Sequence, residues 1–116
     1  MRCVLLNSLP INIFGSAEVI IKIKPITYQE LANLVQQADE VKCYIRHPAT
    51  VQLLNSMLKV WDIELQPSSG LYSFNPEDTI IVVTLARPLR GQEVTEVTPE
   101  MLILRRIEVL EYKPEV

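Results

Sequence analysis

Histidine is almost absent from this chain. There is one, His47, beside two cysteines and three glycines. So few His and Cys residues nearly exclude a zinc site built from several of them, and they exclude a disulfide scaffold. Any imidazole chemistry must run through His47. Cys3 and Cys43 lie inside apolar segments and read as buried, reduced thiols in strands. Glycines at positions 15, 70 and 91 cannot build a Gly-rich phosphate loop. There is no CxxC pair, no EF-hand loop, no nucleophile elbow and no paired-acid motif. No apolar run approaches the roughly 18 to 20 residues of a membrane span. The opening Met1-Arg2-Cys3-Val4-Leu5-Leu6-Asn7 lacks a signal peptide's apolar region and cleavage site, so the chain reads as cytoplasmic, with no membrane partner. Excess positive charge is missing too. Eleven Lys and Arg against fourteen Asp and Glu leave a formal charge of −3. That argues against a general binder of long nucleic acid, which needs a basic surface.

What is present suits one compact domain spanning residues 1–116. The chain has 116 residues, 48% hydrophobic and 22% charged, enough to bury a core and too apolar for general disorder. Residues 2–6 form a short buried run that stops in the loop residues Asn7-Ser8-Leu9-Pro10. Residues 17–24 are β-branched and alternate, predicting a second strand ended by Pro25. Thr27 with Glu30 predicts a capping box, and Tyr28, Leu31, Leu34, Val35 and Ala38 then share one face of a helix over 28–38. Residues 41–45 predict a third strand. Pro48, suited to a first helical position, opens a well-buried helix to Leu58. In the less decisive stretch 59–79, Ile63-Glu64-Leu65 and Leu71-Tyr72-Ser73-Phe74 read as short strands between turns. Residues 79–86 form the strongest, most central strand. Thr98-Pro99-Glu100 opens a helical turn, and residues 103–112 alternate as a final strand. There, Arg105 and Arg106 read as one exposed and one edge residue. The expected fold is an α/β or α+β domain with a small mixed sheet flanked by helices. A sheet edge left to protect makes a homodimer plausible.

Three places could carry chemistry. His47 follows a buried strand and immediately precedes a helix, where free backbone N–H groups favour phosphate or carboxylate. Thr50 adds a hydroxyl in the first turn, and an imidazole there can give a proton to the leaving oxygen of a phosphate ester. Helix capping or simple surface exposure is the competing role for His47. Arg87 and Arg90 lie in the loop after the strongest strand, and two guanidinium groups can hold phosphate oxygens bidentately. Asn7, Ser8 and Asn12 decorate the loop after the first strand. Their amides and hydroxyl suit base edges or ribose, unless they serve only the turn. If the chain is an enzyme, this residue set points to a metal-independent one with no cofactor.

Four segments in this order resemble the viral ring nucleases, the type III anti-CRISPR family of archaeal viruses and phages, which has cellular relatives. They are Val4-Leu5-Leu6-Asn7-Ser8, Arg46-His47-Pro48-Ala49-Thr50-Val51-Gln52-Leu53-Leu54, the strand from Thr79 to Ala86, and Arg87-Pro88-Leu89-Arg90-Gly91. The His-x-Ala-Thr-x-x-Leu-Leu element is the most specific of them. The resemblance implies a homodimer that binds cyclic tetra-adenylate, the second messenger of type III CRISPR systems, in a pocket across the dimer interface. It implies metal-independent cleavage to di-adenylates with 2′,3′-cyclic phosphate ends. The ribose 2′-hydroxyl attacks in line while a histidine protonates the departing 5′-oxygen. Position by position, the resemblance implies His47 as general acid, Arg87 on the scissile phosphate and Asn7 as a ligand contact. Asn12 and Thr50 are weaker matches for ligand contact, and Ser8 lies beside Asn7. If the gene is viral, the place of action is the host cytoplasm.

Two positions depart from the family pattern. Arg46 replaces a glycine before the histidine. Arg90 stands where an acid is expected, with Glu93 nearby at another offset. Both arginines favour phosphate binding. The missing acid leaves room for a slower nuclease or for a non-catalytic binder of cyclic oligoadenylates. A third reading is a dimeric interaction protein of a virus or mobile element.

Overall fold

The computed structural model describes residues 1–86 and 98–114. The strands are β1 (Arg2–Leu6), β2 (Glu18–Pro25), β3 (Glu40–Cys43), β4 (Asp78–Leu85) and β5 (Leu102–Lys113). Two helices, α1 (Tyr28–Gln37) and α2 (Pro48–Leu58), join them, with short 3-10 turns at Ile11–Phe14, Lys59–Trp61 and Pro99–Met101. The five strands form one mixed sheet in the order β2-β5-β4-β1-β3. β1 is parallel to both β3 and β4, while β5 is antiparallel to β2 and β4. The result is a single α+β domain, as its sequence pattern predicts.

Local rules explain the elements. Thr27 caps α1 in a full capping box: the Glu30 N–H donates to the Thr27 hydroxyl at 3.1 Å, and the Thr27 N–H donates to the Glu30 carboxylate at 3.2 Å. Asp78-Thr79-Ile80-Ile81-Val82-Val83-Thr84-Leu85 is β-branched throughout its middle. It occupies the central position of the sheet, with Ile80 to Val83 buried on both faces. α2 begins at Pro48, where a missing N–H costs nothing.

The two faces of the sheet are covered differently. Both helices pack on one face, where Leu31, Ala32, Val51, Leu54 and Leu58 meet Cys3, Leu5, Ile81, Val83 and Leu104. Among the described residues the other face carries no α-helix, only the 3-10 turn Ile11–Phe14. There Val4, Leu6, Ile80, Val82 and Ile107 are covered by Ile13 and Tyr72, with Phe14 and Phe74 packed alongside. Cys3 and Cys43 are buried free thiols in neighbouring strands, as expected. Burial pushes the Cys3 thiol up to about 12 and also raises that of Cys43.

Two strands expected between residues 59 and 79 are not formed. At 63–65 the backbone of Leu65 is satisfied by a side chain. Its N–H donates to Asn55 Oδ1 at 2.7 Å, and Asn55 Nδ2 donates to its carbonyl at 3.2 Å. An amide on α2 thus replaces a strand partner. At 71–74 the chain is extended, but Phe74 N–H bonds to the Ile13 carbonyl at 2.9 Å rather than to a strand. Its alternation buries Tyr72 against the uncovered face of the sheet. Arg105 and Arg106 also need correction. β5 is flanked by β2 and β4, so neither arginine is an edge residue; both are half-buried, and Arg105 donates to the Thr84 hydroxyl at 3.0 Å.

Candidate functional site

β1, β3 and β4 run in the same direction, so their carboxyl ends share one edge of the sheet. The chain leaves β1 across the face that carries Ile13 and runs to β2 at the far edge of the sheet, whereas it leaves β3 into α2 on the opposite face and crosses back over β1 to β4. Such a reversal opens a crevice beyond the strand ends, a common place for ligands. A cleft of about 420 Å³ lies there. Leu6, Asn7, Ser8, Pro10, Asn12 and Ile13 from the segment after β1 form one wall. Tyr44, Arg46 and the run Gly70 to Ser73 form the other. Asn7, Ser8, Asn12 and Arg46, proposed as ligand-binding from sequence, therefore line one cavity.

Arg46 has a second task. Its guanidinium donates to the carbonyls of Ser68 and Gly70 and lies 5.7 Å from the centre of the Tyr44 ring. Further bonds hold the same loop. The Ser68 N–H donates to the Cys43 carbonyl at 2.7 Å, and the Cys43 N–H to the Ser68 hydroxyl at 3.3 Å. Gly70 has φ of 86°, a left-handed conformation that favours glycine. Arg46 is thus a clamp on the wall of the cleft, and its planar fork suits two carbonyls at once.

Tyr72 anchors the same wall from below. Its hydroxyl donates to Asp78 Oδ2 at 2.5 Å. Asp78 also accepts from Arg2 Nε at 2.8 Å and Nη2 at 2.7 Å. Burial, followed by the Asp78 bond, raises the Tyr72 phenol above its ordinary value, and Asp78 raises the Arg2 guanidinium.

His47 sits next to Arg46 as the residue capping α2, though its side chain does not bond to the helix backbone. Instead, His47 Nδ1 and Thr50 Oγ1 are 2.7 Å apart. The His47 carbonyl accepts from the amides of Thr50 at 3.1 Å and Val51 at 3.3 Å. His47 is exposed, whereas Thr50 is only 4% exposed. This pair stands beside the cleft rather than in its wall. Arg87 and Arg90 lie outside the described residues; Ala86, the last described residue before them, is on the same edge of the sheet.

Sequence reasoning missed Tyr44, Leu71 and Tyr72 as cleft residues. Tyr44 alternates with the buried Cys43 and Ile45, a signal that it faces the other way. Leu71 is 98% exposed, which no local pattern announces.

Fold and cleft together define a small α+β protein with a one-sided mixed sheet and a crevice at its parallel strand ends, lined by apolar side chains with a few polar groups among them. The chain belongs to the STIV B116-like family, whose sequence model matches residues 3–109. Its fold is similar to that of B116 of Sulfolobus turreted icosahedral virus, with a TM-score of 0.64 and 16% identity over 92% of this chain and 98% of that one. No curated protein matches the sequence.

Proposed function

We propose that this protein is a metal-independent ring nuclease that opens cyclic tetra-adenylate, the type III CRISPR second messenger, and acts for a virus against that signal. The observation that carries the reading is convergence. The loop after β1 and the segment before α2, which carry the family resemblance, meet at one edge of the sheet around one cleft. Membership of a family named for a viral protein supports a viral role in the host cytoplasm.

The chemistry needs few protein groups, because the substrate supplies its own nucleophile. A ribose 2′-hydroxyl attacks the adjacent phosphorus in line, the bond to the 5′-oxygen breaks, and a 2′,3′-cyclic phosphate forms. His47 gives its proton to the departing 5′-oxygen. Arg87 and Arg90 supply positive charge to the phosphorane, assisted by the N-terminus of α2. Asn7, Ser8 and Asn12 bind base or ribose, and Arg46 holds the facing wall.

The active unit in this reading is a homodimer. Leu71 is 98% exposed on the cleft wall, and Ile11, between the lining residues Pro10 and Asn12, is 82% exposed. Apolar side chains on both sides of an open cleft favour a second copy that closes it.

The test incubates purified protein with labelled cyclic tetra-adenylate in EDTA, beside His47→Ala. Ring opening by the unmodified protein alone supports the nuclease. Tight binding with the ring intact replaces it with a non-catalytic binder, and no binding removes both.

A further inference from the structure

His47 and Thr50 form an arrangement that helix capping does not require. A capping side chain ordinarily accepts from the backbone N–H of the third helical residue. Here the side chain of the third residue, Thr50, takes the ring nitrogen Nδ1 at 2.7 Å, while the Thr50 amide goes to the His47 carbonyl. The four residues from His47 to Thr50 are thus closed into a ring by two bonds. Thr50 is 4% exposed, and among the described residues its hydroxyl has no other partner. A buried hydroxyl left without a bond is costly, so the contact orders both side chains. His47 is exposed, and Nε2 is its remaining nitrogen.

We propose that Thr50 is a positioning residue for His47, pinning the ring through Nδ1 so that Nε2 alone exchanges protons with a bound molecule. The chemistry of the partner matters. A carboxylate or a carbonyl at Nδ1 can only accept. A hydroxyl accepts from Nδ1–H and donates to a bare Nδ1, turning about its C–O bond. The ring therefore keeps its place in either protonation state. When Nε2 gives its proton to a leaving oxygen, the neutral ring that remains carries its hydrogen on Nδ1, already bonded to Thr50 Oγ1. No reorientation is needed at that moment. This assignment rests on the nuclease reading for its catalytic consequence, and moves Thr50 from ligand contact to support.

The single histidine makes the test clean. Nitrogen-15 NMR of the ligand-free protein reports the two ring nitrogens of His47 with no overlap from another imidazole. Thr50→Val keeps the shape and removes the hydroxyl, and Thr50→Ser restores it. The Val variant is expected to give the solvent-averaged tautomers of a free imidazole, while the Ser variant keeps the wild-type signals. Under single turnover with cyclic tetra-adenylate, the Val variant is expected to cleave roughly tenfold more slowly at unchanged affinity, with recovery in the Ser variant. Unchanged ring signals in the Val variant overturn the pairing. Changed signals with wild-type cleavage overturn the positioning role. If the unmodified protein cleaves nothing, the nuclease reading fails, and so does the catalytic consequence assigned to Thr50; the NMR arm still decides the pairing.

Discussion

Replacing Asp78 with alanine tests how the wall of the cleft is held. The Asp78 side chain is 2% exposed, and it accepts three bonds, from Arg2 Nε, Arg2 Nη2 and the Tyr72 hydroxyl. Alanine removes all three. The Tyr72 O–H then lies buried without an acceptor, its oxygen keeping only a backbone bond from Asn75, at about 1–3 kcal/mol. Arg2 is 30% exposed, so its guanidinium recovers water. Its loss is therefore about 1 kcal/mol, rather than the 3–5 of a fully buried pair. The expected cost is about 2–4 kcal/mol, a large share of the roughly 6–17 available to a domain of this size. In melting temperature that is roughly 10 °C. Tyr72→Phe leaves the Arg2 pair in place and costs only about 1 kcal/mol. Because both changes remove the same phenol–carboxylate bond, the double variant loses about 1 kcal/mol less than the sum. Urea unfolding of the four proteins measures this directly. An Asp78→Ala cost below about 1 kcal/mol, or strict additivity with Tyr72→Phe, refutes the anchor.

Two further predictions follow from the same side chains. Arg46→Ala is expected to leave global stability within about 0.5 kcal/mol, because Arg46 is exposed, while amide exchange across 66–73 accelerates without ligand. Unchanged exchange with weakened binding of cyclic tetra-adenylate instead makes Arg46 a phosphate contact and not a clamp. Cys3 sets an alkaline slope. Its folded thiol titrates near 12, against an ordinary 9.0, because burial disfavours the thiolate. A raised acid contributes stability that is whole below the unfolded value and is lost as pH climbs toward the folded one. Stability should thus fall from about pH 9 upward, Cys3 contributing about 1.4 kcal/mol per pH unit. Cys3→Ala flattens that slope between pH 9 and 10 in urea titrations, and an identical slope refutes the assignment.

The fold was legible wherever a local rule and the tertiary environment agreed. Thr27 and Glu30 announce a helix start because the capping box is a contact between near neighbours. Residues 79–86 announce a central strand, observed at Asp78–Leu85, because burial on both faces demands an unbroken β-branched run. Pro48 fixes where α2 begins, and so places His47. The segment from 62 to 77 resists such reading because its partners are remote. Leu65 takes its bonds from Asn55, Phe74 from Ile13, and Tyr72 from Asp78. None of these bonds belongs to a ladder or a helix, and periodicity reports only those two. A third of the described cleft lining, Gly70 to Ser73, comes from that segment. Its polar wall could therefore be named residue by residue, whereas Tyr44, Leu71 and Tyr72 could not.

The proposed function asks a chain of net −3 to hold phosphates, and the placement of its charges is compatible with that. Asp39, Glu40, Glu77 and Asp78 gather with Met1 and Arg2 around a depression at the amino end of β1. The cleft lies at its carboxyl end, and among its described lining residues there is no carboxylate. β1 has five residues, so the two ends are about 16 Å apart. That is about two Debye lengths at physiological salt, so the exposed Asp39, Glu40 and Glu77 are screened from the cleft, while the buried Asp78 side chain is offset by its ion pair with Arg2. The net charge of the whole molecule therefore says little about the potential where a ligand binds. What an anion meets in the cleft is Arg46, with the amino end of α2 beginning two residues later at Pro48. A small cyclic oligonucleotide needs no more than such a local field, whereas a long nucleic acid would meet both ends of the sheet.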